Sequence, residues 1–138
     1  MTSFRVYDMA SLNFIAPFFI IENLQTSVAF YVDKLGFEIQ FIGPEGDPYF
    51  VIVGRDRVWI NLKAIAPKIK PVPNHTRHEW ARWDAYISTD DPEALFEEYS
   101  SKGVVFYQPL MVNSDNLLGF EIDDADGYRL FFGRPNAD

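Results

Sequence analysis

Apolar and polar residues alternate with a period of two over eight short segments of the chain, which is the pattern of half-buried β-strands. Four segments lie in the first half of the sequence and four in the second. The predicted strands are Ala16–Ile21, Phe37–Ile42, Tyr49–Val53, Val58–Lys63, Asp84–Thr89, Val104–Gln108, Leu117–Ile122 and Tyr128–Phe132. Turn sequences rich in Gly, Pro and Asp separate many of them, which supports strands over helices.

Two segments have the helical period instead. The first predicted helix runs from Leu24 to Lys34, with Asn23 as its N-cap and Gly36 as its C-terminal stop. The second begins at Asp90-Asp91-Pro92, where an acidic cap precedes a proline, and continues to Gly103. Each half of the chain therefore has the order strand, helix, three strands.

Matching helix caps, tyrosines, helix stops and turn residues recur at nearly constant separations, which indicates an internal duplication. The pairs are Asn23 and Asp91, 68 apart, Tyr31 and Tyr99, 68 apart, Gly36 and Gly103, 67 apart, and Asp56 and Asp126, 70 apart. We therefore expect one α+β domain over residues 1–138, built from two tandem βαβββ modules that form a cupped mixed sheet with the helices on its outer face. The first repeat covers about 14–66, the linker about 67–79 and the second repeat about 80–135.

The two parities of the strands differ in composition, and this difference predicts where a ligand would bind. One parity is almost wholly apolar, as expected for the face beneath the helices. The other mixes large aromatics with acids, an amide and cations, which is typical of a small-molecule pocket. Transfer of the repeat offset from Glu121 adds Tyr49 and Val51 to this mixed parity. The predicted ligand-binding residues are Phe18, Tyr49, Trp59, Asn61, Asp84, Tyr86, Glu121, Arg129 and Phe131. The alternative is that these aromatics pack against a partner subunit.

Composition narrows the possible partners and surroundings. The net charge of −8 disfavours binding to nucleic acid. There is no cysteine, which excludes disulfides and thiolate metal sites and fits a reducing cytoplasm. We find neither a signal peptide nor an apolar run of about 20 residues that would span a membrane. The expected location is therefore cytoplasmic, without membrane or nucleic-acid partners.

Two sequence motifs resemble the vicinal oxygen chelate superfamily, which includes glyoxalase I, extradiol dioxygenases, fosfomycin resistance enzymes and bleomycin resistance proteins. The first motif is the run from Ile21 to Tyr31 followed by Leu35-Gly36-Phe37. The second is Asp124-Ala125-Asp126-Gly127-Tyr128, a variant of the superfamily's penultimate turn. The resemblance extends from about Phe14 onward and implies the duplicated topology described above.

The resemblance also implies four metal-ligand positions, which map by motif spacing to Ala16, Asn61, Asp84 and Phe131. Alanine and phenylalanine cannot coordinate a cation, and an amide with one carboxylate leaves too few ligands. We therefore expect no metal and no cofactor.

Other candidate groups are few. His75 and His78, with adjacent Glu79, have a spacing that would suit zinc on a helix, but they lie in the proline-rich linker, where a solvated loop is favoured. Asp84 and Glu121 are a possible acid–base pair; the alternative is that they balance Arg129 and Lys63 or are solvated. Lys63 and Arg129 could instead receive a ligand carboxylate, so the sequence leaves the charge of the ligand open.

Three functional hypotheses follow. The preferred one is a metal-independent homodimer that binds a cationic or aromatic small molecule, similar to the metal-free bleomycin resistance proteins that sequester an antibiotic. The second is a metal-dependent lyase, isomerase or dioxygenase of the same superfamily with an atypical site. The third is a purely structural or regulatory dimer whose aromatic face is buried between subunits.

Overall fold

The computed structural model describes residues 9–64 and 69–137. Its elements in chain order are β1 (Phe18–Ile20), α1 (Leu24–Ala29) continued by a π-helical turn (Phe30–Lys34), β2 (Glu38–Gly43), β3 (Phe50–Arg55), β4 (Val58–Lys63), a 3₁₀ turn (Asn74–Thr76), β5 (Ala85–Ser88), α2 (Pro92–Ser101), β6 (Gln108–Val112), β7 (Leu117–Asp123) and β8 (Arg129–Pro135). The predicted end of the first repeat and the start of the linker, at residues 66 and 67, lie outside the described residues. The domain boundaries stay a prediction.

The ends of both helices form as their sequences predict. Asn23 Oδ1 accepts the backbone N–H of Thr26 at 2.9 Å, and Asp91 Oδ1 accepts that of Ala94 at 3.0 Å. These bonds satisfy N–H groups that have no partner inside a helix. Gly36 follows the first helix with a φ of 76°, in the left-handed region where a side chain would be strained.

The strands form two four-stranded sheets, one from each repeat, with orders β1-β4-β3-β2 and β5-β8-β7-β6. In each sheet the first strand pairs in parallel with the last strand of its repeat, and the other pairs are antiparallel. This arrangement confirms the α+β class and the two βαβββ modules.

The inner faces of both sheets merge into one hydrophobic core with the helices. The fully buried side chains include Ile21, Tyr31, Leu35, Val51, Ile60, Leu62, Tyr99, Phe120, Ile122, Leu130 and Phe132. Since both modules contribute to a single cluster, each covers apolar surface that the other would otherwise expose.

Polar contacts across the junction between the modules follow the internal symmetry. The Tyr31 hydroxyl donates to Asp124 Oδ2 at 2.6 Å, and the hydroxyl of its counterpart Tyr99 donates to the Leu35 carbonyl at 2.9 Å. Arg55 forms a two-point ion pair with Glu98, at 2.8 and 2.9 Å. Both tyrosines are fully buried. Each helix is thus tied to backbone or side chains of the opposite module.

Two predictions about the strands are wrong. The sixth strand was expected over Val104–Gln108 but spans Gln108–Val112. Residues 104–107 alternate between buried or half-buried and exposed positions, as the residues of a strand do, but they pair with no strand. Val51 was expected on the mixed face but is fully buried in the core, because it lies opposite Leu62.

No helix in the described parts of the chain is both long and apolar enough to cross a membrane.

Candidate functional site

The face of the first sheet that points away from the core is rich in partly exposed aromatic and aliphatic side chains. We call it the first outer face; it is the side opposite the helices and corresponds to the mixed parity of the sequence. Strand register assigns to it Phe18, Ile20, Phe41, Phe50, Ile52, Trp59, Asn61 and Lys63. Asn61 lies at its centre, since its neighbours on the flanking strands are Phe18 and Ile52. The predicted residues Phe18, Trp59 and Asn61 therefore share this face.

A shallow cavity of about 530 Å³ lies at one end of the first outer face. Its lining comprises Phe18, Phe41, Gly43, Pro44, Tyr49, Phe50 and Lys63. The Phe18 and Phe50 rings are near-parallel with centroids 6.2 Å apart, and the Phe41 ring packs 6.0 Å from Phe50. Lys63 Nζ lies 5.6 Å from the centroid of the Tyr49 ring. Tyr49 lies just before β3, outside the paired strand positions, and its side chain forms one wall of this cavity.

Trp59 lies at the other end of the first outer face. Its ring centroid is 5.1 Å from that of Phe14, and its indole covers Gly54, where an added Cβ would approach within 2.7 Å of the ring. Only glycine leaves room for this close approach. Gly54 therefore allows the Trp59 indole to pack at this end of the face, and the indole is not part of the cavity around Phe18.

The corresponding face of the second sheet, the second outer face, is filled by its own side chains. Phe131 is fully buried because it lies over Gly119 and Gly133 and beneath Trp83, whose ring is stacked 4.6 Å away. Tyr86, predicted as a ligand contact, stacks on Phe131 at 5.2 Å and remains 45% exposed. The three aromatic rings form a plug at the centre of this face.

Glu121 lies beneath the same plug, 4% exposed, and its Oε2 accepts the indole N–H of Trp83 at 3.0 Å. Arg129 pairs with Asp123 through two bonds of 2.7 and 3.0 Å, and its guanidinium lies 3.5 Å from the centroid of the Tyr107 ring. The hydrogen bonds to Asp123 raise the pKa of Arg129. The direct ion-pair partner of Arg129 is thus Asp123, and the charge of Glu121 adds a smaller attraction.

Asp84 uses both carboxylate oxygens to hold backbone. Oδ1 accepts the N–H of Asn74 at 2.8 Å, and Oδ2 accepts the N–H of Arg129 at 2.7 Å. These bonds fasten the chain after the linker to the start of β8. Asp84 and Glu121 thus make separate structural contacts, and neither carboxylate is bonded to the other.

The four positions that the family resemblance implies for a metal do not fit one. Ala16 and Phe131 offer no donor atom, and Phe131 is buried beneath an indole. Asp84 is the one carboxylate among the four, and both its oxygens already accept N–H groups. In residues 9–64 and 69–137, no group of three or more His, Asp or Glu side chains is placed to hold a metal ion.

The two histidines make local contacts in the linker. His75 Nε2 lies 2.8 Å from the Gly127 carbonyl, which fixes that nitrogen as the donor. His78 Nδ1 receives the backbone N–H of Trp80 at 3.3 Å, and the two rings pack 4.4 Å apart. His75 therefore helps to fasten the linker to the turn between β7 and β8.

Several residues of these faces were not predicted from the sequence. Phe50 and Ile52 follow from the correct pairing of β3 with Asn61 and Lys63, which the sequence alone leaves uncertain by one residue. Trp83 lies just before β5, where alternation gives no information. The one available signal for Trp83 is Glu121, two strands away, because a buried glutamate needs a hydrogen-bond donor.

Comparison with solved structures finds proteins of the same fold. The bleomycin-binding protein of bleomycin-producing Streptomyces verticillus, solved with copper(II)-bleomycin, is 22% identical, with a TM-score of 0.66 over 94% of this chain and 100% of that chain. TioX from Micromonospora sp. ML1 is 15% identical, with a TM-score of 0.69 over 88% and 98%. TnmS3, an antibiotic binding protein from Streptomyces sp. CB03234, is 18% identical, with a TM-score of 0.65 over 93% and 99%. At these identities the likeness concerns the fold.

A search of curated proteins gave no match to the sequence. The family model of the Glyoxalase/Bleomycin resistance protein/Dioxygenase superfamily matches residues 11–132, which include both modules except the last three residues of β8. The match covers most of the 138 residues and agrees with the duplicated topology. The chain belongs to the Glyoxalase/Bleomycin resistance protein/Dioxygenase superfamily.

Proposed function

We propose that this protein is a metal-independent binding protein for an aromatic small molecule, which it holds on the first outer face. The observation that carries the proposal is the cavity of about 530 Å³ between Phe18, Phe41, Tyr49 and Phe50. Phe18 is 55% exposed and Phe41 53%, so a ligand ring placed between them would remove apolar surface from water. Aromatic walls with one polar group at the rim are typical of small-molecule sites.

The charge of the cavity favours a neutral or anionic ligand over a cationic one. Lys63 is the charged residue in its lining, and it makes no ion pair within the described residues. The ammonium group of Lys63, which lies beside Tyr49, would repel a cationic ligand and attract a carboxylate or phenolate. Of the two ligand classes expected from the sequence, the aromatic class is therefore supported at this cavity and the cationic class is not.

Metal independence is supported by the composition of the faces. The cavity on the first outer face contains no carboxylate or imidazole. On the second outer face, Phe131 stands where the family resemblance implies a metal ligand, and it is part of the aromatic plug. Recognition by stacking and by one ammonium needs no metal. TnmS3 is described as an antibiotic binding protein and the Streptomyces verticillus protein as a bleomycin-binding protein, which agrees with a binding role. Antibiotics that contain aromatic rings therefore belong in a ligand screen.

Calorimetric titration with three naphthalenes that share one ring system and differ in the charge of their substituent tests the proposal. We expect 2-naphthoate to bind most tightly, 2-naphthol less tightly and trimethyl(2-naphthyl)ammonium most weakly. Phe18→Ala should weaken all three by about tenfold, because one stacking wall is lost. Lys63→Met keeps the aliphatic stem and should remove both the preference for the carboxylate and the discrimination against the ammonium compound.

Val105→Ala is the matched control, because Val105 is apolar and 84% exposed but lies in the segment before β6. Its affinities should equal those of the unchanged protein. Tightest binding of the ammonium compound, or equal affinities in Phe18→Ala, would contradict the proposal. Binding that disappears after chelation and returns with one equivalent of a divalent cation would favour the metal-dependent enzyme instead.

We also propose that the protein forms a homodimer through its exposed apolar segment before β1. Leu12 is 99% exposed and Ile15 89%, and Phe14 reaches the first outer face at Trp59. Contiguous apolar side chains of this kind are unusual on a monomer surface and typical of an interface. A second copy would then cover the first outer face beside the cavity.

A further inference from the structure

The duplication allows the same space to be compared at two places in the molecule. At each, the last strand of one module begins beside the first strand of the other. Register pairs Phe19 with Leu62 in the first sheet and Ile87 with Phe132 in the second, so Phe19 and Ile87 are equivalent. By the same correspondence Tyr128, just before β8, is equivalent to Val58, the first residue of β4.

At the first of these places the space is filled by a tyrosine from the opposite module. The Tyr128 ring stacks on Phe19 with centroids 4.2 Å apart and planes at 6°. Its hydroxyl donates to the Ile20 carbonyl at 2.6 Å. The Tyr128 hydroxyl thus provides a hydrogen bond to a carbonyl on the free edge of β1, and the Tyr128 ring covers Phe19.

At the second place the tyrosine is missing and a cavity of about 250 Å³ is present. Its lining is Phe37, Arg55, Asp56, Arg57, Val58, Ile87, Ser88, Thr89, Leu95, Tyr99 and Phe132. Val58 is several atoms shorter than a tyrosine, so the space beside Ile87 is left open. A cavity of about 150 Å³ with aliphatic and aromatic walls is enough for benzene.

The acceptor that the tyrosine hydroxyl uses is also present at the second place. Ser88 is equivalent to Ile20, and the N–H of Thr89 bonds to the Gly133 carbonyl at 3.0 Å. Alternation along the parallel pair therefore directs the Ser88 carbonyl away from β8, to the free edge of β5. Among the described residues, no hydrogen bond from a side chain reaches this carbonyl.

The walls of the cavity are held in place without a ligand. Arg55, the last residue of β3 before the hairpin turn, bonds to the Leu35 carbonyl at 2.9 Å and to both oxygens of Glu98 on α2. These bonds fix the turn against the helix of the other module. A preformed cavity requires little ordering when a ligand enters.

We infer that this junction cavity is a second ligand site, separate from both outer faces, that binds a phenol ring in the position that Tyr128 occupies at the equivalent place. The ring lies against Ile87, and its hydroxyl donates to the Ser88 carbonyl. The ligand class is a small compound with an unsubstituted phenol hydroxyl and a short para substituent directed to the cavity mouth.

Methyl-detected NMR with p-cresol and toluene as probes tests this inference. We expect nuclear Overhauser effects from p-cresol to the methyl groups of Ile87 and Leu95. Toluene has the same ring without the hydroxyl and should bind at least fivefold more weakly, because it leaves the Ser88 carbonyl unpaired. Contacts confined to the methyl groups of Ile20 and Ile52 would place the probe on the first outer face and overturn the inference, as would equal affinities for the two probes.

Val58→Tyr is the decisive variant because it copies the residue at the equivalent place. Its new ring should fill the cavity, abolish the p-cresol contacts to Ile87 and raise the melting temperature. Val105→Tyr adds the same side chain at an 84% exposed position and should leave both properties unchanged. Persistence of the p-cresol contacts in Val58→Tyr would overturn the inference. If that variant does not fold, Val58→Met fills the same space with a flexible side chain. It must then also abolish the p-cresol contacts to Ile87.

Discussion

The Tyr31 hydroxyl of the first module lies 2.6 Å from Oδ2 of Asp124 in the second, and both residues are buried. Oδ1 of Asp124 accepts the backbone N–H groups of Asp126 and Tyr128, each at 2.9 Å. Burial raises the pKa of Asp124 to about 7, although these donors act in the opposite direction. Burial, together with the Asp124 carboxylate, also raises the pKa of Tyr31, which therefore remains a donor. The carboxyl group that joins the modules thus titrates near neutral pH.

This titration predicts that the protein becomes less stable as the pH rises through 7. The folded-state pKa of Asp124, about 7, exceeds the unfolded value of 3.8, so the folded state binds more protons between those values. The stabilisation is complete below the unfolded pKa and is lost as the pH rises through the folded one. Between about pH 5.5 and 8.5 we expect a loss of about 2 kcal/mol in the free energy of unfolding, measured by urea denaturation.

Asp124→Asn removes the titrating group but keeps an oxygen for the N–H groups of Asp126 and Tyr128. This variant should show no loss over the same pH range and should be at least as stable as the unchanged protein at the upper end. Asp47→Asn removes the same charge from an exposed turn and should keep the original slope. An unchanged slope in Asp124→Asn would show that another group causes the pH dependence.

The overall architecture could be predicted because caps, stops and turns are local signals. Asn23 and Asp91 cap their helices with their own side chains, and Gly36 and Gly103 have positive φ, so each is determined within a few residues of sequence. β6 could not be placed in the same way. Pro109 argues against a central strand but is tolerated in β6, because that strand lies at the edge of its sheet.

The candidate site was less predictable because its faces depend on register between distant strands. Glu121 lies opposite Phe131, and Ile52 lies opposite Asn61, so the offset between repeats is 69 at β3 and 70 at β4. A constant offset of 70 therefore assigns Val51 to the wrong face, because a shift of one residue along a strand places the side chain on the opposite face. The burial of Phe131 beneath Trp83 is a tertiary contact that no periodicity contains.

Gly36 provides a test of how the junction between the modules is packed. An added Cβ would lie 2.9 Å from Nη1 of Arg55, whereas at Gly46, which also has a positive φ, no atom lies within 4 Å. Gly46→Ala should therefore cost about 1 kcal/mol, from the left-handed backbone alone. Gly36→Ala should cost about 1 kcal/mol more, because the Arg55 guanidinium must leave the Leu35 carbonyl.

Urea denaturation of both variants, alone and combined with Arg55→Met, measures the difference. Without the guanidinium, Gly36→Ala should cost no more than Gly46→Ala. If the two glycine variants cost the same in the presence of Arg55, the guanidinium moves freely and does not fix the hairpin turn against α2.

The exposed segment before β1 predicts how the dimer would be lost. Leu12 and Ile15 make little contact with the rest of the described residues, so the double variant Leu12→Asp/Ile15→Asp should keep the melting temperature of the unfolding transition at high dilution. Sedimentation velocity should then show a dimer for the unchanged protein and a monomer for the variant, because two carboxylates per chain would have to be desolvated at the interface. Val105→Asp, at a valine that is 84% exposed on another part of the surface, should remain dimeric. A variant that stays dimeric would assign the interface to another surface. A monomer that still binds 2-naphthoate with full affinity would show that one chain suffices for the cavity beside Phe18.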